Sequence, residues 1–202
     1  MTEAVPTGNT YDKYASSNPV ERRLMTNFLG DLDRSLPTRS PATVLEVGIG
    51  EGEIAARITT RYPDASVTGL DLPDPELAAH WVSRPFAAVF GDIGALPFPD
   101  DTFDLVLAIE VLEHVPDPDA ALREVARVAC ADVLISVPRE PMWRAANVAR
   151  GKYWKALGNT PGHIQHWGKR SFADLVGRHL DVAAVRSPPP WTMVAARVRK
   201  SA

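Results

Sequence analysis

Cysteine, long apolar runs and an excess of charge of either sign are nearly missing from this chain. Cys130 is the one cysteine in 202 residues, so no disulfide can close within the chain, which suits a reducing compartment. No apolar stretch approaches the ~20 residues that a membrane-spanning helix needs. The longest, residues 103–115, is broken by Glu110 and Glu113. The formal net charge of −3 supplies no general attraction to nucleic acid or to anionic membranes. Internal repeats and low-complexity tracts are absent, which argues against solenoid and fibrous architectures. Residues 1–10 are polar and lack the charged-then-apolar layout of a secretion signal. These absences predict a cytoplasmic protein with no membrane span.

An apolar share of 45% is enough to build a sizeable core, and the length suits one domain spanning residues 1–202. After Asn18 and Pro19, the residues Val20, Leu24, Phe28 and Leu32 recur at helical spacing and predict an N-terminal helical cap over 11–36. Short apolar runs at 42–47, 66–71, 87–90, 103–108 and 132–137 read as strands. Helical patterns at 54–59, 77–83 and 117–129 separate several of them. Such alternation predicts a parallel sheet with right-handed crossovers. The last two strand-like runs, 180–185 and 192–198, are joined by a link too short for a crossover helix and predict an antiparallel hairpin. The fold class is therefore α/β: a Rossmann-like three-layer sandwich with a mostly parallel seven-stranded sheet ending in that hairpin. Residues 139–168 fit neither element well. They hold Trp143, Tyr153, Trp154 and Trp167 among Arg139, Arg144, Arg150, Lys152 and Lys155. Following the carboxyl end of a strand, they predict a partly helical, mobile insertion on the edge where open α/β sheets bind ligands.

The first strand runs into a turn carrying Glu46, Gly48, Gly50, Glu51 and Gly52. Glycine lets the backbone approach a ligand closely, and the following helix offers free N–H groups. The GxGxG spacing lacks the step of the pyrophosphate-binding fingerprint, and the acids beside it suit a cationic ligand better than a pyrophosphate. Asp71 ends the second strand about 20 residues on, where a carboxylate accepts ribose hydroxyls. Asp92 follows the third strand, where it can accept from an adenine amino group. Three acids at successive strand ends describe a pocket for a nucleoside that carries a positive charge, although each alone is a common turn or cap residue.

The run from Val44 to Gly52, the Gly69-Leu70-Asp71 and Gly91-Asp92 steps, and the stretch from Leu96 to Asp104 resemble the class I S-adenosylmethionine-dependent methyltransferases. The ubiquinone/menaquinone-biosynthesis-like (methyltransferase type 11) group is the nearest in pattern. The resemblance implies S-adenosyl-L-methionine as cofactor, lying along Gly48, Gly50 and Gly52 beside Glu46. It places ribose on Asp71 and adenine near Leu72, Asp92 and Ile93, with Ile109 and Glu110 bordering the site. It also implies that Tyr11 or Tyr14 closes over the cofactor.

Methyl transfer needs an aligned nucleophile and, for some acceptors, a base. Alignment is worth effective molarities of ~10⁵ M or more, whereas a base adds ~10²–10⁴-fold. Glu110, Glu113 and His114 follow the fourth strand, where helical spacing would put them on one face. His114 is the best single base, since histidine titrates near neutrality. His163 and His166 are further candidates, in a stretch that resembles the substrate border of quinone-type methyltransferases. Glu110, Glu113 and His114 also resemble the metal-binding positions of some ubiquinone-pathway and small-RNA methyltransferases. A divalent metal is not favoured, because three local ligands leave a hard ion incomplete. His80 and His179 read as surface residues, and Cys130 as a buried small residue. The aromatic insertion points to a small acceptor, aromatic or largely apolar, with oxygen preferred over nitrogen or carbon as the methylated atom. The alternatives are a nucleic-acid (RNA 2′-O) methyltransferase, suggested by the basic residues of the insertion, and an NAD-dependent oxidoreductase.

Overall fold

In a computed structural model, residues 18–149, 156–160 and 162–199 are described; Tyr11, Tyr14, Tyr153 and Trp154 lie outside them. Asn18 starts helix α1 (Pro19–Ser35) by accepting the Val20 amide, with proline at the first helical position. The helix buries Met25, Phe28 and Leu32. The element order then runs β1 (Thr43–Val47), α2 (Glu53–Arg61), β2 (Ser66–Asp71), α3 (Pro75–Trp81), β3 (Ala87–Phe90) and β4 (Phe103–Ile109). After β4 come a 3₁₀ turn (Leu112–His114), α4 (Pro118–Val128), β5 (Ala129–Pro138), α5 (Met142–Ala149), α6 (Lys169–His179), β6 (Asp181–Arg186) and β7 (Trp191–Arg197).

These strands form one seven-stranded sheet in the order β3-β2-β1-β4-β5-β7-β6. The first five are parallel, β7 runs antiparallel to β5, and β6 runs antiparallel to β7. The central strands are apolar on both faces, as a covered parallel sheet requires. One core layer packs β1, β4 and β5 against α4 and α6 through Leu122, Val125, Phe172 and Val176. The other packs the sheet against α1 and α2 through Phe28, Leu32, Ile54 and Ile58, and includes Trp143 and Trp191. Three layers and a terminal hairpin match the expectation. The strand order turns back on itself between β1 and β4, and the crevice at that switch point is where such sheets bind ligands.

Three local expectations need correction. Cys130 is exposed, because Cys130 and Ala131, next to the buried first residue of β5, stand clear of the core. His179 is not a free surface residue: it is half-buried and its Nε2 lies 2.6 Å from Asp119 Oδ1. Residues 110–114 are not a helix that aligns Glu110 with Glu113. Glu110 has φ of 62°, and only Leu112–His114 make a 3₁₀ turn. The left-handed residue breaks the helical register, so the two carboxylates diverge. No helix among the described residues is long and apolar enough to cross a membrane.

Candidate active site

The glycine turn joins β1 to α2 at the switch point. Gly48, Gly50 and Gly52 have φ of 71°, 52° and 85°, values that residues with a Cβ seldom adopt. At Gly48 space adds to conformation, because a Cβ there would lie 2.3 Å from Val111 Cγ2. The Gly48 and Ile49 amides both bond Leu70 O, which ties the turn to β2. Asp71, at the end of β2, accepts the Gly50 amide at 2.7 Å on one oxygen and the Leu72 amide at 2.8 Å on the other. Each oxygen keeps a further lone-pair direction for another donor. Burial raises the Asp71 pKa above the ordinary carboxylate range against the lowering effect of those two amides.

Glu46 is buried in β1 with 2% exposure. Gly52, the residue before α2, supplies no side-chain cap; the Glu46 carboxylate faces the Ala55 amide of the helix's first turn, whose effect is to lower its pKa. Its Oε2 is buried with no protein donor. Burial, reinforced by the charge of Asp71, raises the Glu46 pKa well above its usual value. A buried acid short of a donor at a helix N-terminus accommodates an ammonium group. Asp92 is exposed beyond β3 and accepts the Gly94 amide at 2.8 Å, with Ile93 buried beside it. The acids and glycines named from the sequence thus line one edge of the sheet, and their chemistry fits a cationic nucleoside.

On the other side of the switch point, Glu110 accepts Ser136 Oγ at 3.1 Å and Trp191 Nε1 at 2.7 Å. Sequence reasoning missed both donors, since Ser136 and Trp191 arrive from β5 and β7. Beyond it, Glu113, His114 and His163 converge: one ligand atom from each lies within 4.8 Å of the others. His114 Nδ1 sits 3.0 Å from Gly162 O, so that nitrogen carries a proton, and Nε2 faces Glu113 Oε1 at 4.0 Å. His163 is 7% exposed and meets His114 edge-on, with ring centroids 4.9 Å apart. It also stacks on Trp143, which touches Trp191, which touches Phe28 of α1. His166 goes elsewhere. It is exposed, with Nε2 2.8 Å from both Arg144 and Asn159. The structure therefore replaces the Glu110–Glu113–His114 grouping with Glu113–His114–His163.

The later part of the insertion is fastened down. The Ile164 and Gln165 amides both bond Glu113 O, and the Gln165 side chain donates to Val115 O and Pro116 O. Trp143 Nε1 bonds Thr160 Oγ1 at 2.9 Å. The bonds of Ile164 and Gln165 place that stretch against the 3₁₀ turn and the segment that follows it.

This fold and this set of acids and glycines define a class, the Rossmann-like methyltransferases that use S-adenosylmethionine. The family comparison points the same way: residues 45–136, just under half of the chain, match the methyltransferase domain family. The chain is 37% identical over 107 residues to a malonyl-[acyl-carrier protein] O-methyltransferase of Halorhodospira halophila, a match covering 50% of this chain and 36% of that protein. It is 35% identical over 111 residues to a demethylmenaquinone methyltransferase of Roseiflexus sp., covering 51% and 47%. The chain thus spans less than half the length of these relatives. Among solved structures, the methyltransferase bound to the Haloferax volcanii Trm112 activator superposes with a TM-score of 0.70 at 19% identity, covering 90% of this chain and 92% of that one. That likeness is one of fold.

Proposed function

We propose that this protein transfers the methyl group of S-adenosylmethionine to a small-molecule acceptor, with oxygen as the methylated atom. The observation that carries the reading is the buried, donor-short carboxylate of Glu46 beside a glycine turn closed by Asp71. A pyrophosphate would be repelled there, whereas an α-ammonium is attracted, which favours this cofactor over NAD. The bound sulfonium supplies an already activated methyl group. What remains for the protein is to hold the cofactor, line up the acceptor and take its proton. Glu46 pairs with the ammonium, Asp71 with the ribose, and Asp92 with the adenine amino group between Leu72 and Ile93. Oxygen as acceptor atom is supported by the relation to an O-methyltransferase.

His114 acts as the base in this reading. Its Nδ1 proton is held by a backbone carbonyl, which fixes the ring with Nε2, the nitrogen that would take the acceptor's proton, beside the Glu113 carboxylate. His163 packs on it and orients the ring. A second reading uses the same side chains as metal ligands. Two imidazoles and a carboxylate form a set that suffices for a four-coordinate transition metal with one open position. His114, held through Nδ1 by a backbone carbonyl, has the orientation that role requires. The experiment is radiolabelled methyl transfer to fractionated host extract, with and without exhaustive chelation. Labelled product after chelation, reduced ~10²-fold or more by His114→Ala, supports the base. Activity abolished by chelator and restored by Zn²⁺ or Mn²⁺ moves His114 to the metal role.

A further inference from the structure

Helix α3 contains no buried residue, yet its last residue reaches back into the cofactor turn. Trp81 Nε1 donates to Gly50 O at 2.8 Å, while the other face of that glycine, its N–H, is held by Asp71. Gly50 is thus fixed from both ends, by the acid proposed to take the ribose and by an indole. Two neighbours of Trp81 add to the clasp: Arg84 pairs with Glu53 on α2, and the Phe86 ring lies under Gly52, where a Cβ would meet Cζ at 2.3 Å. The indole packs on Phe90 at the end of β3, with centroids 5.1 Å apart. A turn with three left-handed glycines loses more conformational freedom on ordering than any other sequence would. A contact that orders it beforehand therefore strengthens ligand binding without touching the reacting atoms.

We infer that Trp81 is a positioning residue for the cofactor: its indole N–H holds the Gly50 carbonyl and so presets Asp71 for the ribose. This inference rests on the methyltransferase reading. No residue of α3 is fully buried, and Trp81 packs only at the margin of the core layer beside α1 and α2, a contact that an aromatic replacement retains. The test is calorimetry with S-adenosylhomocysteine on the full chain, with the thermal midpoint of the free protein measured alongside. Trp81→Phe keeps the ring contact with Phe90 and removes the donor. A net hydrogen bond of about 1 kcal/mol corresponds to an affinity loss of about fivefold, at an unchanged thermal midpoint. Phe90→Leu keeps the donor and should leave affinity within about twofold. Once an acceptor is in hand, Trp81→Phe should raise the KM for S-adenosylmethionine and spare kcat. Unchanged affinity in Trp81→Phe overturns the inference. So does an affinity loss accompanied by a lowered thermal midpoint, which marks a structural role. Failure of the wild type to bind the ligand at all instead contradicts the methyltransferase reading.

Discussion

At the residue scale the cofactor site depends on side chains whose alternatives are sharply limited. Asp71 already holds two backbone amides, so its removal costs both ligand contacts and the order of the turn. Asp71→Ala should weaken S-adenosylhomocysteine binding by ~1.5–3 kcal/mol, the range for hydrogen bonds to a charged group, which calorimetry reads directly. Gly48→Ala should be more damaging, because φ of 71° and a 2.3 Å approach to Val111 oppose any Cβ. A lowered thermal midpoint together with lost ligand binding is the expected result. Asp71, Asp92, Glu46 and the glycines were legible from the sequence because each sits at a strand end, and strand ends are local features. Trp81, Ser136 and Trp191 were not, because their targets lie 31, 26 and 81 residues away. No local pattern marks such pairs.

At the scale of elements the sequence read the strands and the terminal hairpin correctly, since their apolar runs are short and cleanly bounded. It misread residues 110–114. A left-handed Glu110 cannot be inferred from spacing, and helical spacing grouped Glu110 with Glu113 and His114, of which only the last two stay together. His114, Glu113 and His163 were all named as candidates, but their convergence was not, because the turn after β4 and the insertion meet only in the folded chain. The insertion's place on the ligand edge suggested a mobile cover, and within it the amides of Ile164 and Gln165 both bond Glu113 O. Hydrogen exchange in the free protein should find those two amides protected well beyond unstructured rates. Rapid exchange at both, slowed only by ligands, would restore the mobile-cover view for this part of the insertion.

At the scale of the molecule, two carboxylates with raised pKa values stand at one edge of the sheet, Glu46 mainly through burial and Asp71 likewise. A carboxyl with a pKa higher in the folded than in the unfolded state favours folding at low pH. That contribution is present below the unfolded value and is lost as pH rises through the folded value. The free protein should therefore give up some stability between acidic and neutral pH at this site, and a cationic ligand should restore it. Binding an α-ammonium favours ionised Glu46, so binding must release protons in the window between its free and bound pKa values. Titrations in buffers of differing ionisation enthalpy should show net proton release, with affinity rising from acidic to neutral pH. Proton uptake, or pH-independent affinity over that window, would separate Glu46 from the ligand.

The central claim is that this edge of the sheet holds S-adenosylmethionine, and a parallel titration of the purified chain with S-adenosylhomocysteine and with NAD tests it most directly. The account predicts one saturable site for S-adenosylhomocysteine that Asp71→Ala weakens, and no measurable heat with NAD. Saturable binding of NAD with none of S-adenosylhomocysteine would contradict it.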